Sequence, residues 1–221
     1  MTGRLVSLAG ALSAVFVAAG SALAAGVTLT AGHLTADSHA YGAAVTCTLS
    51  AAAADSYVAK ELSGSNFGTQ TTLIVSSAGV TTRRVFVGFD LAACSAAIPS
   101  TALVTSAKLR LTTATVALGT RTYDATGVTS SWTETGVTWT NQPSAASSVS
   151  SSTSVTLGAA SGTVVEWSVV GDTQAFVTGS ATNSGWRITD SAEGAAVGTL
   201  LTFDSREAAS GRPQLVVTYV P

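Results

Sequence analysis

Trp132 and Trp139 stand seven residues apart in the stretch Trp132-Thr133-Glu134-Thr135-Gly136-Val137-Thr138-Trp139-Thr140-Asn141-Gln142-Pro143. An indole can lie flat beneath a sugar ring, or it can plug a core, burying roughly 150–250 Å². Both readings stand for Trp132, and Trp139 leans towards the core. A second set is basic: Lys108, Arg110 and Arg121, with Tyr123 beside the last. The planar fork of arginine matches a uronate carboxylate. If the strands carrying these residues are neighbours, the set lines one outward face. The alternative is ordinary surface charge.

The carboxylates point less clearly to chemistry. Glycoside cleavage uses a pair of them. Glu134, Glu166 and Glu193 each lack a second carboxylate in the same phrase. No nucleophile elbow or zinc motif is present, so the chain reads as a non-enzyme. His33 and His39, with Asp37 between them, suit zinc or copper in type. They lie in a Gly-, Ala- and Thr-rich segment without a further histidine, and read as unliganded. Asp55, Asp204 and Glu207 fall short of the 6–8 oxygens that calcium takes. No cofactor is expected, and calcium is only a weak alternative. Arg206 reads as a fastener, forked onto Asp55 or Asp204 to tie the first strand to the last.

These residues need elements to hold them. Arg84 to Leu91 alternates, with Val85, Val87, Phe89 and Leu91 inward and Phe86, Gly88 and Asp90 on the other face. In 107–112 Leu109 and Leu111 point in while Lys108 and Arg110 point out. Further strands are expected at 73–75, 120–128, 163–170, 186–189, 198–205 and 214–220, and Val137 to Thr140 reads as one more. Ser144 to Ser154 reads as a flexible surface loop. Asp172 to Val177 reads as one helical turn capped by Asp172. The sum is about nine or ten short antiparallel strands separated by turns, an all-β sandwich.

Arg4, the apolar run Leu5 to Ala19 and the small residues Ala22 and Ala24 form a secretory signal peptide over 1–25. An uncleaved anchor is the alternative, but the run is short of the roughly 20 residues a span needs. A Gly/Ala/Thr-rich extension is expected over 26–53 and the domain over 54–221. Cys47 and Cys94 form a disulfide in an oxidising compartment, with two buried free thiols as the alternative. Only 10% of residues are charged, and the net charge of −2 argues against a nucleic-acid partner.

Several phrases, in order, resemble the DNRLRE-domain family, which includes carbohydrate-binding module family 96. They are Ala54-Asp55-Ser56-Tyr57-Val58, Asn66-Phe67-Gly68, Phe89-Asp90-Leu91, Ala107-Lys108-Leu109-Arg110-Leu111, Trp132-Thr133-Glu134 with Val137-Thr138-Trp139, Asn183-Ser184-Gly185-Trp186, Phe203-Asp204-Ser205-Arg206-Glu207-Ala208, and Arg212 to Tyr219. The resemblance implies a jelly-roll-like sandwich in a secreted bacterial protein, and binding of an acidic polysaccharide such as alginate. The expected function is thus a secreted, non-catalytic carbohydrate-binding module. Its partner is an extracellular polysaccharide or cell-wall glycan, with no membrane contact after signal cleavage. Lys108, Arg110, Arg121, Tyr123 and Trp132 are its candidate ligand residues. The alternative is a structural or adhesive surface protein without a sugar ligand.

Overall fold

The computed structural model describes residues 23–30, 33–40, 42–195 and 198–221. Most of the expected signal peptide therefore lies outside the described residues. A hairpin of β1 (Leu23–Thr30) and β2 (His33–Ala40) comes first. The side chains of His33, Asp37 and His39 lie outside the described ones. The strands that follow are β3 (Val45–Leu49), β4 (Ala54–Ala59), β5 (Thr72–Ser76), β6 (Arg83–Gly88), β7 (Leu103–Thr112), β8 (Arg121–Gly127), β9 (Ser151–Val155) and β10 (Val164–Ser168). After the helix α1 (Val170–Thr178) come β11 (Trp186–Asp190), β12 (Leu200–Asp204) and β13 (Gln214–Val220).

Two antiparallel sheets face each other. One runs β10-β7-β13-β3; the other runs β12-β5-β6-β11-β8-β9, with β4 also paired to β6. The all-β sandwich expected from the alternation is thus present. Period-two patterning drives it, because every second residue must leave water. Leu109, Leu111, Leu215, Val217 and Trp167 meet Val85, Val87, Leu73, Ile188 and Phe203 in the core, all fully buried. The Trp167 indole donates to the Tyr123 carbonyl at 2.8 Å, joining β10 to β8 across the core.

Three local readings are corrected and a fourth is extended. The stretch Val137 to Thr140 is not a strand but a run of turns. Its carbonyls are held by side chains instead of a ladder: Asn66 donates to the carbonyls of Glu134 and Val137, both at 2.7 Å. The serine-rich loop contains β9, an edge strand paired to β8. Small hydroxyls suit that edge, and Ser154 and Thr122 hydrogen-bond across it at 2.9 Å. Asp172 does not cap the helix, which starts after Val169. Its carboxylate instead accepts the Trp186 indole N–H at 2.7 Å. Phe86 points to the outer face as expected, yet it is fully buried with Val58. Val128, Val137, Trp132 and Trp139 close over the pair as a second small core.

The sandwich also takes in β3, ahead of Ala54. It pairs along β13, and Cys47 within it is disulfide-bonded to Cys94, 47 residues on. The bond ties the edge of one sheet to the loop that leaves β6 of the other. For a loop of that length the chain-entropy model gives about 4 kcal/mol. Replacing both cysteines by serine should lower unfolding stability by up to about that amount, read from the urea midpoint.

Candidate functional site

The strap 128–142 covers the outer face of β4 and β6, and it is pinned at its middle and at its end. At its middle, Glu134 Oε1 accepts the Asp55 amide at 2.9 Å, and both Glu134 oxygens accept from Arg206 at 3.1 Å. The Arg206 amide donates to Asp55 Oδ2 at 2.8 Å, and its guanidinium also reaches the Ala53 carbonyl at 2.5 Å. At its end, Arg84 donates to Gln142 at 2.8 Å, grips Glu193 with two bonds of 2.7 Å and lies 4.7 Å above the Trp139 ring. The backbone of the strap is close enough to Gly68 that a Cβ there would sit 2.2 Å from the Glu134 carbonyl oxygen. Gly68 is therefore needed for the strap to lie down.

Trp132 is the part of the strap left half open. One side of its ring packs near Phe86, with centroids 5.9 Å apart. Its indole N–H donates to the Ser184 carbonyl at 2.9 Å. An aromatic held on one face and at its nitrogen is a preorganised wall. On one side it lines a depression of about 420 Å³ with Gly88, Asp90, Asn183 and Ser184. On the other it lines one of about 340 Å³ with Thr133, Gly136 and Asn141. The two share Ser131 and Trp132. The first also shares Thr182 with a third depression of about 330 Å³ floored by Ala175, Phe176 and Asp172. The depressions adjoin at these shared residues, and this open stretch around Trp132 is the candidate groove. Its lining is hydroxyl, amide and small apolar groups, with Asp90 and Asp172 as the charges and no basic residue.

The expected basic set is not brought together. Lys108 and Arg110 are on β7 in the four-stranded sheet, whereas Arg121 and Tyr123 are on β8 in the other sheet. Arg110 pairs with Glu166 at 2.5 Å on the neighbouring strand. Arg121 pairs with the buried carboxylate of Asp190, and that hydrogen bond raises its pKa. Tyr123 points into the core at 2% exposure. Burial pushes its phenol up to about 12. Among the described residues Lys108 has no ion-pair partner. Trp132 alone of the five lines the groove. Glu134, Glu166 and Glu193, the carboxylates weighed for acid–base work, each end in an ion pair with an arginine.

The knot around Asp55 was only half legible. Arg206 is a fastener, but its guanidinium takes Glu134 instead of Asp204. Asp204 sits apart, beside Gly211. The signal was present in three phrases, those holding Asp55, Glu134 and Arg206, but their meeting depends on how the strap folds over β4.

The model of carbohydrate-binding module family 96 matches residues 46–219, and the chain belongs to that family. No curated protein matches it significantly. Family membership makes it a carbohydrate-binding module and its partner a glycan in the general sense. The disulfide fits an extracellular protein, and among the described residues no helix is long and apolar enough to cross a membrane.

Asp55 is 1% exposed, and burial lifts its carboxyl from 3.8 to about 7 against the pull of the Arg206 amide, with Glu207 and Glu134 adding to the rise. The folded chain thus keeps a proton that the unfolded chain has released. Stability from this group is complete below 3.8 and is lost as pH rises through about 7. In metal-free buffer, the melting temperature should be higher at about pH 5 than at about pH 8, and Asp55→Asn should remove most of that difference.

Proposed function

We propose that this is an exported, non-catalytic module that holds an extracellular polysaccharide in the groove around Trp132. One observation carries the reading: the indole is fixed by Phe86 and by the Ser184 carbonyl, and it stands between two depressions, the first of which adjoins a third at Thr182. A sugar ring stacks its C–H face on such a wall, while its hydroxyls meet the Asn, Ser and Thr groups on either side. The run of depressions suits a chain ligand over a monosaccharide. The wall is already in place, so little ordering entropy is lost on binding. The lining supplies no cation to a uronate, and the charges present favour a neutral or amino sugar polymer.

A second reading keeps the acidic polysaccharide and moves it to the outer face of the four-stranded sheet. Among the described residues Lys108 has no ion-pair partner there; it lies between Ser168 and Val216 on the neighbouring strands, with Ser106, Thr48 and Gln214 around them. Arg110 adds little to it, since Glu166 offsets its charge. Arg121 and Tyr123 belong to neither surface. A structural role without a sugar ligand would show as the absence of any glycan binding.

Affinity electrophoresis through gels of neutral, amino and acidic polysaccharides tests both sites. The groove reading expects retardation by a neutral or amino-sugar polymer, and a Trp132→Ala loss of up to about tenfold in affinity, since an aromatic stacking contact contributes about 0.5–1.5 kcal/mol. Lys108→Ala should leave that binding unchanged. Retardation by uronate gels alone, relieved by salt and lost in Lys108→Ala, would move the site to the sheet face.

A further inference from the structure

The knot that pins the strap carries more negative charge than it neutralises. One carboxylate oxygen from each of Asp55, Glu134 and Glu207 lies within 4.8 Å of the other two. Arg206 is the cation among them, bonded to Glu134 and 3.6 Å from Glu207. With all three carboxylates ionised, the set keeps two negative charges that no side chain answers. The second observation is independent of the count. Asp55 is 1% exposed, its Oδ2 takes the Arg206 amide, and its Oδ1 is buried without any hydrogen-bond donor. A buried carboxylate oxygen without a partner is costly. Here it belongs to a carboxylate gathered with two others.

We propose that Asp55, Glu134 and Glu207 hold one divalent cation of the calcium type, clamping β4, the strap and the turn after β12 to one another. Oxygens that all touch a common ion at 2.3–2.6 Å stand at most about twice that distance apart, which the 4.8 Å span satisfies. The donors are all carboxylate oxygens, without nitrogen or sulfur, so the site selects a hard cation over zinc or copper. Calcium takes 6–8 oxygens. Exposure rises from Asp55 through Glu134 to Glu207, so one side is open for water to complete the shell. A charge of +2 cancels the excess that Arg206 leaves. The site lies two residues from Trp132, and the ion therefore braces the segment that carries the groove wall.

The test uses the intact purified protein, stripped with a chelator and returned to metal-free buffer at about pH 8. Adding about 10 mM calcium chloride should raise the melting temperature by about 3–10 °C, given dissociation constants near 10⁻⁴–10⁻³ M for extracellular sites. Sodium chloride of equal ionic strength should not. Glu207→Gln, at the exposed end of the site, should fold and lose the rise. So should Glu134→Gln, which still accepts the Asp55 amide. No rise with calcium, an equal rise with sodium chloride, or a full rise in both variants would each overturn the proposal. Melting is read without glycan, so a failure here leaves the groove reading standing, and the converse also holds.

Discussion

The structure depends on covering one face of β6. That strand presents Val85 and Val87 to the space between the sheets and Phe86 to the other side, and all three are fully buried. A phenylalanine left open there would expose apolar surface at roughly 25 cal/mol per Å². The strap lies over it, and its own polar backbone then needs partners. Asn66, Arg206 and Arg84 supply or organise them from three different parts of the chain. Trp132 is part of the cover, which is why its ring has a fixed pose. The groove wall is thus a by-product of closing a second core.

Electrostatics sorts the remaining charges. Most arginines outside the knot are each paired with one carboxylate: Arg83 with Glu61, Arg84 with Glu193, Arg110 with Glu166, Arg121 with Asp190. Exposed pairs of this kind contribute about 0–1 kcal/mol each, but they remove cations from the surface. None of them lines the depressions around Trp132. The pair at Asp190 differs, because that carboxylate is fully buried and its partner cannot leave without stranding it.

The fold was readable because strand alternation is local. Leu109 and Leu111 against Lys108 and Arg110 needed no knowledge of the rest of the chain, and the disulfide followed from counting two cysteines in a chain whose first residues read as a signal peptide. The misreadings share one cause, which is that sheet order is not written in any single strand. Lys108 and Tyr123 sit on strands close in sequence, yet these enter different sheets, and Tyr123 faces the core. Val137 and Trp139 alternate like a strand, but Asn66 satisfies the carbonyls that a ladder would have used. The serines of β9 looked like a loop because an edge strand with one solvent face can be built from hydroxyl residues. Of the candidate site, Trp132 was legible by its type, and its neighbours Asn183 and Ser184 were not, since they come from the turn ahead of β11, far along the chain.

The Cys47–Cys94 bond has a meaning for how the chain reaches its final form. β3 covers the open edge of β13, whose other side is already paired with β7. A bare strand edge is a template for pairing with another chain. β3 is five residues long and hangs from the sheet by one ladder and that covalent link. Oxidation therefore does more than add stability: it retains the guard on an otherwise adhesive edge. In a reducing environment the guard is held by its ladder alone, and the exposure of that edge becomes a matter of the redox state of the compartment.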